Sequence, residues 1–130
     1  MTESELQSAI LLAVPMSDCR IHRNNIGVTR TGKRTIRYGL WIGSADLIGI
    51  LRDGRFLAIE VKTAIGRQTA AQVAFASMVV SFGGVFILAR SVSDALDGIH
   101  HALCNSPIFK GQTSSSMRYD GPGVHSKADP

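Results

Sequence analysis

Apolar positions along the chain switch between two periods, and the switches mark its elements. Leu6, Ala9, Ile10 and Ala13 recur at helical spacing and predict a helix over residues 3–14. Thr2 and Glu5 have capping-box spacing at its start, and Pro15 ends it. Between Arg20 and Arg37 the pattern predicts a pair of strands around the turn-like break Thr31-Gly32-Lys33. Aliphatic runs at 43–51 and 55–63 flank Arg52-Asp53-Gly54 and read as two strands joined by a tight turn. A helix is expected from Thr69 to Phe82, with Phe75, Met78, Val79 and Phe82 inward and Gly83-Gly84 closing it. The continuous run from Val85 to Ala89 predicts a central buried strand. A last helix, from Ser91 or Ser93 to Leu103, turns Ala95, Leu96 and Ile99 inward, and His100-His101 suit its C-terminal dipole. The order helix, three strands, helix, strand, helix predicts an α/β domain with a mixed sheet flanked by helices.

Three charges interrupt the apolar strands: Asp46, Glu60 and Lys62. A charge placed there costs several kcal/mol (roughly) unless it is paired or binds a metal. Side chains alternate along a strand, so Glu60 and Lys62 share a face, about 7 Å apart. Whether Asp46 joins them depends on the turn. A two-residue Asp53-Gly54 loop sets Asp46 against Val61, whereas a three-residue loop sets it directly opposite Glu60. Three-residue loops want a left-handed residue at their third position, where Gly54 stands. Opposed carboxylates then lie with Cβ atoms about 5 Å apart. They repel unless a cation sits between them, and oxygen ligands suit magnesium.

Composition narrows the class. At 130 residues the chain is one domain, with residues 1–103 as its body. A hydrophobic content of 45% with 18% charged residues is that of an ordinary globular protein. No apolar run reaches the ~18 residues of a membrane span, and the start lacks a basic signal-peptide region, so a cytoplasmic location is expected. Cys19 and Cys104 offer neither zinc spacing nor a disulfide framework and read as plain thiols. Residues 104–130 are rich in Ser, Gly and Pro and predict a flexible tail, which a partner chain can hold in place.

The net charge of +4 is modest, but its distribution is uneven. Arg20, Arg23, Arg30, Lys33, Arg34 and Arg37 form a block with no acidic residue among them. Edge strands use cations to resist aggregation, yet a block this size beside a candidate metal site favours phosphate contacts. Asn24 and Asn25 add hydrogen-bond donors for phosphate or base edges. Arg67, near a helix N-terminus, is a candidate phosphate clamp. His22 reads as structural, and Trp41 as core or rim.

Asp46, a spacer and Glu60-Val61-Lys62 together resemble the PD-(D/E)xK nuclease superfamily. Arg23-Asn24-Asn25, Gly43-Ser44-Ala45-Asp46-Leu47, and Gly66-Arg67 leading to Gln72 look like its VRR-NUC branch, in the small stand-alone phage or bacterial form. The likeness runs over residues 3 to 95. Ala45 stands where the superfamily often has Pro, and a residue there ligates nothing. The resemblance implies a restriction-endonuclease-like core and a nuclease that uses Mg²⁺, or Mn²⁺ in its place, to hydrolyse DNA. It implies that Asp46, Glu60 and the backbone carbonyl of Val61 hold the ion, with Glu5 acting directly or through water. Lys62 would orient or help deprotonate the attacking water. The family carries a first-helix glutamate two positions before a Gln matching Gln7, which selects Glu5; helical spacing alone puts Glu3 and Glu5 alike at the edge of the apolar stripe. Gln72 matches a side chain that projects into the active site. It also has capping-box spacing with Thr69, a role that one side chain is not expected to combine with the first. Branched DNA, such as a Holliday junction, and a homodimer are further implications. The alternative is a DNA-binding module without catalysis that uses the basic hairpin alone.

Overall fold

Each period in the sequence is matched by an element in a computed structural model, which describes residues 1–107. Three helices, α1 (Glu3–Ala13), α2 (Ala70–Ser81) and α3 (Val92–Cys104), accompany six strands. These are β1 (Cys19–Arg23), β2 (Gly27–Thr31), β3 (Arg34–Tyr38), β4 (Leu47–Leu51), β5 (Phe56–Val61) and β6 (Val85–Ala89). The main sheet runs β1-β4-β5-β6, antiparallel except for the parallel β5–β6 pair that α2 connects. The architecture is therefore mixed α/β, with a mixed sheet flanked by helices.

Alternation along β5 sorts the two faces. Leu57, Ile59 and Val61 join Leu47, Leu51 and Ile87 in a core sealed by Leu6 and Ile10 of α1 and by Ala95, Ile99 and Leu103 of α3. Ala58 faces the other way, toward Phe75 and Val79 of α2. Burying a Leu, Ile or Phe side chain contributes about 1.5–3 kcal/mol, so the first cluster carries most of the stability. Cys19 belongs to it, and burial, aided by the nearby Asp18 charge, pushes its thiol up to about 11. Both Cys19 and Cys104 are free. Among the described residues no helix is long and apolar enough to cross a membrane.

Several expectations need correction. Five strands, not three, separate α1 from α2. The basic stretch does form a hairpin about Gly32-Lys33, with Thr31 opposite Arg34. Ahead of it, however, Cys19 and Ile21 turn inward and Arg20 and His22 outward, making a half-buried strand paired to β4. β6 is an edge strand, not a central one; its unbroken apolar run reflects cover on both faces, by α3 and by α2. Phe82 is 85% exposed because it is the C-cap of α2, past the end of the helix's contact with the sheet. Ala13 is likewise exposed, and the α1 stripe turns toward Leu11 and Val14 instead. The body reaches beyond residue 103, since Cys104 ends α3 and Ser106 is buried. The rest of the expected tail, from residue 108, lies outside the described residues.

The β4–β5 register places the charges. Leu47 faces Ile59, Gly49 faces Leu57, and Ile50 faces Phe56. One step further, the Leu51 amide donates to the Arg55 carbonyl at 3.0 Å around the three-residue turn, where Gly54 adopts φ +91°. One step past the opposite end, the same register sets Asp46 across from Glu60.

Candidate active site

Asp46 is fixed from three directions. Its Oδ2 accepts the Val61 amide at 2.8 Å, and its carbonyl accepts the Asn24 amide at 2.8 Å. The buried Ser44-Ala45 segment before it is held by the Asn24 side chain, whose Nδ2 donates to Ser44 Oγ at 2.8 Å and to the Ala45 carbonyl at 2.9 Å. Gly43 lets this loop lie against α2, since a Cβ there would fall 2.5 Å from the Ala71 carbonyl.

Glu60 is 1% exposed, on the face that looks toward α2. Its Oε1 accepts Gln72 Nε2 at 3.1 Å and lies 3.8 Å from Lys62 Nζ. Its Oε2 is buried and meets no donor among the described residues. Asp46 can accept from Glu60 only when Glu60 is protonated, because an ionised carboxylate carries no hydrogen to share. Burial, then the Asp46 charge, push the Glu60 carboxyl up to about 8; Lys62 opposes them and Glu3 adds slightly to the rise. The pair is thus set for a proton or a cation.

Gln72 makes two contacts at once, a cap and a bond to Glu60. Its Oε1 accepts the Thr69 amide at 2.8 Å, while its Nε2 reaches Glu60. A primary amide carries its acceptor and its donor on different atoms, so capping and site contact do not compete as expected. Lys62 shares the face of Glu60, with a side chain only 12% exposed.

Glu5 is not brought to this cluster. It is exposed, and its Oε2 accepts the Thr2 amide at 2.7 Å in the capping box, hydrogen bonds that hold its carboxyl below the usual range. Of the two glutamates Glu3 lies nearer: its charge acts slightly on Glu60, and its Oε1 lies beside Gly66. Two residues along a helix differ in direction by about 200°, so only one of this pair can face inward. Among the described residues no three His, Cys, Asp or Glu side chains close into a ligand set. A cation here would rest on Asp46, Glu60 and backbone oxygen, as the orphaned Glu60 Oε2 allows. The Val61 peptide is at hand, since its amide already meets Asp46.

The expected DNA-binding residues divide. Arg23 is used internally: its guanidinium donates to Gln7, to Ser8 Oγ and to the Ser4 carbonyl, tying β1 to α1. Asn24 is spent on the Asp46 segment. Arg20, Asn25, Arg30, Lys33, Arg34, Arg37 and Arg67 are exposed. They do not form one face. Register sets Arg30 and Arg37 on one side of the hairpin and Arg34, with Ile36 and Tyr38, on the other. Except for Gly27, every residue of β2 and β3 is exposed, so the hairpin stands off the body as an arm.

Trp41 is a rim residue, 58% exposed and edge-to-face with Phe75 at 5.7 Å. It borders an apolar groove of about 480 Å³, with Phe56, Met78 and Phe82, toward the end of α2 away from Gln72. A residue that sequence reasoning misses is Arg90, which binds the loop after Lys62; its signal is a lone cation between an apolar strand and a Ser cap. Compared with known proteins, the chain matches no protein-family model and no curated protein.

Proposed function

We propose that the chain is a divalent-metal-dependent nuclease of the PD-(D/E)xK kind, VRR-NUC type, with a restriction-endonuclease-like core. One observation carries the reading: two carboxyl groups meet where the β4–β5 hairpin opens, and a buried oxygen of one has no donor among the described residues. A fold stabilised for its own sake would neutralise such a pair, and a perturbed carboxyl beside a specific charge is a mark of function.

In this reading Asp46, Glu60 and the Val61 carbonyl hold Mg²⁺ or Mn²⁺, with Glu3 rather than Glu5 behind them. When bound, the ion supplies a Lewis acid for the scissile phosphate and lowers the pKa of water. Lys62, as an ammonium, would orient the attacking water and offset the negative charge on the phosphoryl oxygens as the new P–O bond to water forms and the ester P–O bond breaks. Gln72 keeps Glu60 Oε1 engaged, so that Oε2 is the oxygen left for the ion. The exposed cations Arg20, Arg30, Lys33, Arg34, Arg37 and Arg67 contact phosphates. Branched DNA in a bacterial or phage-infected cell is the proposed substrate. Cutting it on two strands calls for a homodimer, for which Ile36, Tyr38 and Ile42 offer exposed apolar surface.

Labelled junction, flap and duplex DNAs incubated with Mg²⁺, Mn²⁺ or chelator test the reading. Product from a branched DNA that requires the metal supports it. The second reading, a binder without catalysis, rests on the exposed cationic arm. Salt-sensitive binding with no product under any metal would leave that one standing.

A further inference from the structure

Arg90 follows the last residue of β6 and lies far in sequence from the basic block. Its Nη1 donates to two backbone carbonyls, Thr63 at 2.6 Å and Gly66 at 2.7 Å. Those carbonyls bracket a turn that the Gly66 amide closes on Thr63 at 3.2 Å. The turn starts directly after Lys62 and leads to Thr69, the cap that Gln72 engages. It also covers the lysine: a Cβ at Gly66 would lie 3.4 Å from Lys62 Cδ and 3.6 Å from Glu3 Oε1.

Both ends of this arrangement are anchored. The Lys62 amide donates to the Ala89 carbonyl at 3.0 Å, and the Arg90 amide donates to Asp94 Oδ2 at 2.9 Å. A charged donor makes the stronger kind of hydrogen bond, and here one nitrogen serves two carbonyls that converge on it. Among the described residues, these two bonds are what hold the turn from another element.

We infer that Arg90 is a positioning residue. By gripping the 63–66 turn it keeps a roof over the Lys62 stem and aims Nζ at the Asp46–Glu60 pair. Its effect on cleavage rests on the nuclease reading; its effect on the turn does not.

The test uses the whole chain as Arg90→Ala and Arg90→Lys, alone and with Lys62→Ala. In metal-free buffer, Arg90→Ala should speed amide exchange at residues 64–68 and raise labelling of Lys62 by an amine-reactive reagent several-fold. Amides of β4 should not change. Arg90→Lys, whose ammonium can still meet a carbonyl, should recover part of the protection. With Mg²⁺ and branched DNA, kcat should fall about 10- to 100-fold in Arg90→Ala, the scale of a small misplacement, with KM little altered. In the Lys62→Ala background the same change should add nothing. Unchanged exchange and labelling in Arg90→Ala would overturn the inference, and so would an equal further loss of cleavage on top of Lys62→Ala. Should the wild type cleave no DNA while Lys62 labelling rises as expected, the nuclease reading falls and the role of Arg90 in roofing Lys62 stands.

Discussion

Asp53 and Glu60 lie at opposite ends of the β4–β5 hairpin, each with a buried side chain, in opposite surroundings. Asp53 is fully supplied. Arg55 donates to it from Nε at 2.8 Å and from its backbone amide at 3.1 Å, and Ser106 donates at 2.7 Å. Arg55 also meets the Ala102 carbonyl at 2.8 Å, so the turn is clamped to the end of α3. Burial alone would raise the Asp53 carboxyl, but the hydrogen bonds from Arg55 and Ser106 outweigh it and hold it below the usual range. Glu60 receives one amide, a lysine at 3.8 Å and a facing carboxylate, and its carboxyl moves the other way. A buried acid with both oxygens answered holds the fold together. One with an oxygen left unanswered does not, and under the proposed reading that oxygen is the one a cation would take.

The widest separation between the two comes from deletion. Glu60→Ala or Asp46→Ala should abolish metal-dependent cleavage. Glu60→Ala should leave the metal-free melting temperature equal or higher, since a buried carboxyl with an unanswered oxygen is removed. Asp46→Ala also strands the Val61 amide and should lower that temperature. Lys62→Ala should lose most of its cleavage, leaving a slow residual rate, but keep metal binding. Asp53→Ala should do the reverse, costing about 3–5 kcal/mol by stranding Arg55 while the folded fraction still cuts. Paired assays of cleavage and thermal unfolding read both; wild-type cleavage by Glu60→Ala would refute its role.

Titration should separate them next. Between its ordinary value of 4.5 and about 8, folded Glu60 keeps a proton that the unfolded chain releases. Stability without metal should therefore decline as pH rises through that window. Asp53, with its pKa lowered, stabilises above its unfolded value, and that contribution is lost as pH falls through its folded one. Unfolding free energy measured against pH should lose its neutral limb in Glu60→Gln and its acid limb in Asp53→Asn. A Glu60→Gln profile that tracks the wild type across the whole of that neutral window would count against the repulsion at the site.

The smallest effect belongs to charges that are unanswered but solvated. Neutralising Lys33 and Arg34 together should flatten the dependence of DNA affinity on salt by roughly 0.9 log units for each phosphate that they cease to neutralise. Both carboxyl titrations should stay where they are. An unchanged salt slope would take these two cations off the DNA surface.

What could be read in advance followed from local chemistry. Gly54 at the third turn position selected the register, and the register alone opposed Asp46 to Glu60. Thr2-Glu5 and Thr69-Gln72 gave both helix starts for the same reason. What could not be read depended on partners distant in the chain. Arg23 and Asn24 look like free donors until α1 and the Ser44 segment arrive to accept from them. Glu3 and Glu5 are equivalent until the helix docks, and Arg90 has no meaning before its loop is in place. β1 was hidden because its cations were counted with those of the arm, although its inward Cys19 and Ile21 alternate correctly.

The arm has a consequence for how the chain can be altered over time. Gly27 and Tyr38 meet at its base, and below them Asn24 already fastens the strand leaving β1 to the segment entering β4. An excursion whose ends are joined before it begins contributes little to the connectivity of the body. Doubling or halving such a loop changes the closure cost by only about 0.6 kcal/mol. The arm is in effect a cassette: it can be shortened, lengthened or exchanged for another while the sheet and its carboxylates keep their register. Residues 27–38 are thus the natural place for the chain to vary its exposed charges, and the β4–β5 hairpin the place where it has no such freedom.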